Sequence, residues 1–528
     1  MTDPAHHGKA AIRPLLAVLL VLCAWAGVVA ARLVAPSDLA TRDQERVAAY
    51  VFDITENGHW LAQDDTEGNF ASKPPLFNWL AAVAVLALDS TERLALSFPS
   101  WIATALTALL VLAFGARHFG RRAGLWAALL YFCSQLGLRQ VLLLRTDALF
   151  QHLIFVGLLC GFEAVERRRT WVPFWLAGLG STMTKGPLGL LLAAPLFRVF
   201  DRAPRASHRS RAREHAIGIA IFLALGLAWM LAANAASHGR AFHKLVADEL
   251  VGHAIGTKDD FGLPFQRWNR PFAWFLTRLA PMSLFAIVGI WRGFRRPATD
   301  IGVRRFESLL RWQVLVGLIV FAAASENRFE HLMSIIPASA LLAGRECARV
   351  LPHLRIGAAS AATLVLILGS NVYLSWFDAK TTDVAYGENL RAFAAELAPH
   401  FHGSERLNRF DAPRALFVDL GRFEVALDAK AIAERIAQDR PTWIAVSDDA
   451  AFRAALATRD VTALHPLVAR EPGRGETITV WSNRPTLPAA TDSPPTAWLR
   501  ILLFGSIVAG VLAIAARTAW RTIAAAAD

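Results

Sequence analysis

The recurrence of long apolar runs constrains this chain more than any other feature. After a first run at 14–34, others follow near 95–115, 123–141, 148–165, 170–184, 186–200, 216–235, 272–291, 309–325, 331–349 and 354–377, with a last one at 497–516. Most approach the roughly 20 residues that a helix needs to cross a bilayer. With 55% hydrophobic residues, 17 Trp and 32 Phe and a mean hydropathy of +0.37, soluble folding is excluded. The fold class expected is an all-α polytopic membrane protein of about 11–13 transmembrane helices. The amino-terminal segment has the basic flank and apolar core of a signal peptide, but its run is as long as a full span, so it is read as a retained helix.

The net charge of +12 could suggest a nucleic-acid partner. The arginines instead cluster in short loops between apolar runs: "RHFGRR" at 117–122, "ERRR" at 166–169, "RAPRASHRSRAR" at 202–213, "RGFRRP" at 292–297 and "RECARV" at 345–350. That is the positive-inside pattern, and no nucleic-acid partner is expected. Cys23, Cys133, Cys160 and Cys347 lie in or beside apolar runs without metal-ligand or redox spacing, and read as small buried or lipid-facing residues.

If these loops are cytoplasmic, the parity works only when residues 36–94 stay wholly on the outer side. The apolar part of "KPPLFNWLAAVAVLALD" is too short for a comfortable span, and it is placed at the outer interface. The outer face then receives 36–94, "LLLRTD" at 142–147, "TKGP" at 184–187, the loop 236–270 and "SENRFE" at 325–330. From 378 to 494 the composition turns mixed polar. "RALFVDL", "TWIAVS" and "ETITVW" read as strands and "AKAIAERIAQ" as a helix, giving a small extracytoplasmic α/β domain. The division is therefore 1–377 for the membrane module, 378–494 for the outer domain and 495–528 for a final helix and cytoplasmic tail.

Ionisable groups near hydrocarbon are costly, so clusters of them at one side of a membrane protein are candidate sites. Four such clusters occur: Asp43-Gln-Glu45-Arg46, Lys73-Pro-Pro, Arg145-Thr-Asp147 and Lys185-Gly-Pro. A carboxylate facing several cations suits transfer from an anionic, phosphate-bearing lipid, because the carboxylate can take a proton while Lys and Arg stabilise a departing phosphate. Structural alternatives stand beside this. Asp43 and Arg46 could be a surface helix pair, Arg145 and Asp147 a snorkelling pair, and Lys73 a simple interfacial anchor. Lys185, which interrupts a long apolar stretch, marks either a turn or a cavity.

In order along the chain, "RDQER…NGHWL…SKPPLFNWLAAV…LLLRTDALF…TKGPLGLLL…NRFEHLMSIIPASALLAG" resembles the GT-C superfamily of polyprenyl-phosphate-sugar transferases. Within it, the similarity is to the bacterial branch of 4-amino-4-deoxy-L-arabinose lipid A transferases and protein O-mannosyltransferase relatives. The likeness covers roughly residues 10 to 350. It implies that Asp43 is the first acid of the family's D-E motif and the catalytic carboxylate, with Arg46 following it. Asp147 would be a second acid at an outer helix end, preceded by Arg145. Lys73 of K-P-P, Lys185 of K-G-P, and Arg267 and Arg270 of the long loop would meet lipid phosphate or acceptor, with His331 nearby. The chain departs from the pattern at Gln44 (second acid of D-E), Ser72 (often Glu) and His331 (commonly Tyr), which puts the lipid A acceptor in doubt rather than the reaction class.

The implied function is transfer of a sugar from a polyprenyl-phosphate donor to an envelope acceptor, on the periplasmic face of a bacterial inner membrane. No cofactor is required. Asp43-x-Glu45 is similar to a divalent-ion motif of nucleotide-sugar enzymes, but the outer face lacks nucleotide donors. The rival reading is a transporter or flippase of lipid-linked sugars, which would predict repeated halves or paired broken helices; no internal repeat is found.

Overall fold

Local chemistry decides where the apolar runs become helices and where they break. A computed structural model of the chain describes residues 13–35, 39, 42–167, 169–196, 208–252, 267–324, 328–351, scattered positions within 358–369, and 381–401, 405–457, 463–491 and 498–526. Among the described residues, six helices are long and apolar enough to span a bilayer: Pro14–Val34, Phe98–Phe119, Asp147–Glu166, the apolar part of His208–Ala236, Ile301–Ala323 and Trp498–Ala524. A bent pair, Arg270–Arg278 and Met282–Arg295, meets at 115° and brings the number to seven if counted as one span; Pro281, which lacks an amide donor, sits at the break.

The expected 11–13 also counts apolar runs that are shorter or broken as helices, or that lie partly outside the described residues. The run 123–141 is split into Arg121–Phe132 and Gln135–Gln140, because Ser134 caps a new helix by accepting the Gly137 amide at 3.0 Å. Helix Val172–Lys185 stops at Gly186, whose φ of 87° belongs to the left-handed region. The run 331–349 opens as a 3₁₀ segment, Phe329–Ile335, and continues as helix Ile336–Val350. Hydropathy counts apolar residues and does not register a serine cap, whereas the stop at Gly186 falls in the "TKGP" turn expected from the sequence. The run 354–377 lies almost wholly outside the described residues.

Helices Phe98–Phe119, Arg121–Phe132 and Ile336–Val350 form the centre of the bundle, at backbone contact. A Cβ on Gly124 would stand 2.5 Å from the Ala116 amide nitrogen, and one on Gly344 2.4 Å from that of Ala127. Small residues at such crossings let helices approach where no hydrophobic driving force separates lipid from protein.

Helix Leu76–Leu88 has 13 residues and at 1.5 Å per residue measures about 20 Å, short of the roughly 30 Å of hydrocarbon. With the acidic helix Arg42–Asn57 it builds a satellite core around Phe52, Phe77, Ala81 and Leu96, which also takes in Leu144, Leu149 and Val418.

Near the C-terminus stands a small four-stranded sheet of β1 (Leu407–Arg409), β2 (Trp443–Val446), β3 (His465–Gly473) and β4 (Glu476–Ser482) in the order β1-β2-β4-β3. β1 and β2 run parallel and the other pairs antiparallel. "TWIAVS" and "ETITVW" are strands as expected, and "AKAIAERIAQ" is helix Ala429–Ala437, capped by Asp428. "RALFVDL" is a correction: it forms helix Arg414–Asp419 behind Pro413. Its alternation resembles a strand, but Ala415, Leu416, Phe417 and Val418 are all buried, which a helix wedged between this domain and the acidic helix satisfies. The domain grips the membrane module through Arg406 to Glu56 (3.2 Å), the Phe423 amide to Glu56 (2.8 Å), and Arg414 to Asp65 and Glu67.

Candidate active site

Helix ends assemble the site. Asp43 lies in the first turn of Arg42–Asn57 and Asp147 in the first turn of Asp147–Glu166, while Lys185 lies in the last turn of Val172–Lys185. Carboxylates at helix N-termini and a cation at a C-terminus each complement the helix dipole. Helices Asp147–Glu166 and Val172–Lys185 are neighbours joined by a short connection, so the start of one meets the end of the other.

The result is one continuous chain of ion pairs. Lys185 Nζ contacts Asp147 Oδ1, and it also lies 5.9 Å from the centre of the Phe150 ring. The other oxygen of Asp147 accepts from Arg145 Nε at 3.1 Å. Arg145 Nη1 reaches Glu330 at 2.9 Å and Asp43 Oδ2 at 3.5 Å, and Arg328 Nη1 meets the same Asp43 oxygen at 3.2 Å. Burial opposes the charge on Arg145, but the carboxylates of Asp147, Glu330 and Asp43 outweigh it and hold the guanidinium firmly protonated. His331 acts electrostatically on Asp147 and stacks obliquely on Phe321 at 5.5 Å.

The two acids differ in access. The Asp43 side chain is 46% exposed, whereas that of Asp147 is 3% exposed, enclosed by its two cations. Asp43 can meet a partner from outside; Asp147 holds Arg145 and Lys185 in place. Among the described residues no three His, Cys, Asp or Glu side chains gather as a metal set.

The structure thus joins Asp43, Arg145, Asp147 and Lys185, with His331 beside them. The two helix-local alternatives do not describe it: Asp43 pairs with Arg145 and Arg328 rather than Arg46, and Arg145–Asp147 is part of a buried network. Lys185 both ends a helix and faces the site. Other expected residues lie elsewhere. Arg46 directs its charge at Tyr50, whose hydroxyl pKa is raised mainly by burial and then by Asp65, with Arg46 opposing. Lys73 pairs with Glu249 of the long loop at 2.7 Å. Arg267 and Arg270 are exposed at the start of helix Arg270–Arg278, outside the ion-pair chain, although that helix touches the site wall through Trp274 and Arg278 against Phe329.

Arg328, Glu330 and Glu249 are additions that the sequence reading did not single out. A signal was available for the first two, as charges in the short polar break between two apolar runs on the side already assigned to the other clusters. Gln44 is also explained: its Oε1 accepts the Leu144 amide at 3.0 Å. Glu45 acts electrostatically, as a lesser contribution, on Tyr386, Arg409 and Asp419 of the sheet domain.

Comparison with known proteins agrees with this architecture. Residues 72–231 match the family model described as dolichyl-phosphate-mannose-protein mannosyltransferase. The crystal structure of ArnT from Cupriavidus metallidurans bound to undecaprenyl phosphate is similar at a TM-score of 0.65 and 16% identity, over 90% of this chain and 99% of that one. The apo form of the same protein gives 0.60 and 16%, over 89% and 97%. No curated protein matches the chain in sequence. The chain is a polytopic helical membrane protein with a fold like that of ArnT and a small sheet domain near the C-terminus.

Proposed function

We propose that the protein is a glycosyltransferase that moves a sugar from a polyprenyl-phosphate carrier to an envelope acceptor, at the periplasmic face of a bacterial inner membrane. The observation that carries this reading is an accessible carboxylate, Asp43, at the end of a run of fixed cations, Arg328, Arg145 and Lys185. The fold shared with a protein crystallised with undecaprenyl phosphate supports the choice of donor.

In the proposed step the bond between the anomeric carbon and the carrier phosphate breaks, and the phosphate leaves with the bonding electrons. A new bond forms from an acceptor oxygen to the same carbon. A hydroxyl acceptor gives its proton to Asp43; a phosphate acceptor, as on lipid A, is already anionic and is positioned by the site instead. Charge appearing on the departing phosphate is met by arginine and lysine held rigidly by Asp147 and Glu330, so little reorganisation accompanies the reaction. The scheme asks for no metal, since the cations of the chain take that place. In this reading Lys73, Arg267 and Arg270 meet the lipid phosphate before it reaches the ion-pair chain.

The test compares wild type with Asp43→Asn in membrane vesicles at matched expression, using a panel of labelled polyprenyl-phosphate sugars and native envelope extract. Label should leave one carrier and enter an acceptor with wild type alone. Equal transfer by Asp43→Asn would remove Asp43 from the reaction, and protein-dependent passage of intact lipid-linked sugar across the membrane without transfer would establish the transport reading.

A further inference from the structure

Asp43 is held to its cations by ion pairs that are half open to water, at 3.5 Å to Arg145 and 3.2 Å to Arg328. Such pairs fix the Asp43 side chain weakly, because solvent screens them at its half-exposed end. The geometry of the cluster must therefore be set elsewhere. The residue next to Asp43 is Gln44, 2% exposed, whose Oε1 accepts the amide of Leu144 at 3.0 Å. Leu144 immediately precedes Arg145 and is itself fully buried. The same short loop is pinned from the other side by Ser100, a buried hydroxyl that donates to the Leu143 carbonyl at 2.6 Å.

We infer that Gln44 is a positioning residue of the active site: its amide oxygen sets the register between the acidic helix and the 141–146 loop, and so the gap between Asp43 and Arg145. This rests on the transferase reading above. Without an acceptor at position 44, the Leu144 amide is a buried donor with no place in water, and the loop must shift to satisfy it. Arg145 would move with it. Position 44 asks for a carbonyl-type acceptor on a four-atom reach, which Gln and Glu supply alike. The departure from the D-E pattern at Gln44 therefore leaves this function intact.

The experiment uses the full-length protein with Gln44→Met, which keeps the length and loses the acceptor, and Gln44→Glu, which keeps the acceptor. Initial rates per folded molecule and backbone hydrogen exchange over 141–147 are measured together. Gln44→Met should lower kcat about 100-fold, the size expected from a misplacement near 1 Å, with donor KM changed less than about twofold, as for an interaction felt in the transition state rather than in binding. Its Leu144 amide should exchange faster. Gln44→Glu should restore both readouts; a merely structural role would change the yield of folded protein and leave kcat per folded molecule alone. If Gln44→Met does not fold, Gln44→Asn, one methylene too short to reach Leu144, replaces it with the same expectation. Wild-type kcat in the acceptor-less variant, or a loss that Gln44→Glu does not restore, overturns the inference. A wild type that transfers from no donor overturns the transferase reading instead.

Discussion

The two ends of the helical bundle hold comparable charges and use them differently. At the site end, Asp43, Asp147 and Glu330 face Arg145, Lys185 and Arg328. At the far ends of helices Ile301–Ala323 and Ile336–Val350, Glu307 and Glu346 face Arg345 at 2.5 Å, Arg311 at 3.8 Å, and Arg292 and Arg349 at 3.7 Å. There both carboxylates are fully buried, Arg311 lies over Phe294 and Arg345 over Phe119. A Cβ on Gly293 would come within 2.1 Å of Arg311 Nη1, so the neighbouring helix closes on the cluster. Accessibility, not charge, separates the proposed reactive cluster from a structural clamp. Of the carboxylates in these two sets, Asp43 has by far the most exposed side chain.

That contrast can be broken by substitution at each end. Asp43→Asn should reduce transfer by about 10²–10⁴-fold, the usual worth of a general base, while the melting temperature in detergent stays near wild type, since a half-exposed side chain contributes little to stability. Glu307→Ala should do the reverse. It leaves buried arginines without their counter-charge and should cost about 3–5 kcal/mol of stability, seen as a large fall in melting temperature with activity per folded molecule retained. A stable Glu307→Ala or an unstable Asp43→Asn would erase the distinction.

Lys73→Ala tests the approach to the site rather than its centre. Loss of one charged hydrogen-bond donor should raise donor KM about tenfold with a smaller change in kcat, checked by steady-state kinetics across donor concentration.

The sheet domain supplies a third kind of carboxylate, buried with insufficient cations. Burial pushes Asp419 up to about 7, with Arg391 opposing and Glu92 assisting; it pushes Glu424 up to about 7, against Arg406 and Arg435. A folded-state pKa above the unfolded one favours the protonated folded form. This stabilisation is present below the ordinary carboxylate range and is lost as pH rises through about 7. Thermal stability of the full chain should therefore fall as pH rises from about 4 to about 7, and the Asp419→Asn/Glu424→Gln double variant should flatten the profile. This is the smallest effect expected, because both groups keep partial contact with solvent.

Much of the architecture was legible in the sequence. Apolar length gave the membrane class, loop charge separated the two ends, and the ion pairs gather 142–147, 184–187 and 328–330 with Asp43 on one side, as the parity requires. Arg117 to Glu163 and Arg305 to Glu166 tie basic loops together at the other. What failed were features that depend on a few atoms: the cap at Ser134 and the helix at Arg414–Asp419; the stop at Gly186 falls in the expected "TKGP" turn.

The stretch "TRDQERVAAYVFDITENGHW" shows where local reading ends. From sequence only its Asp43-Gln-Glu45-Arg46 cluster is a candidate, and Asp53 and Glu56 are not assigned a place. In the fold, Asp43 enters the ion-pair chain, Glu45 acts electrostatically on the sheet domain, and Asp53 is spent on its own turn, accepting from Asn57, His59 and the Asp64 amide. Glu56 anchors the sheet domain through Arg406 and Phe423. Hydropathy, loop charge and helix-end preference are properties of short windows, so the sequence by itself determined the membrane class, which charged clusters share one end of the bundle, and a short set of candidates. Which candidate meets which partner depends on contacts between residues 38, 185 and 285 positions apart. Those are fixed only when the helices pack and burial sorts one carboxylate to solvent and the others to structure.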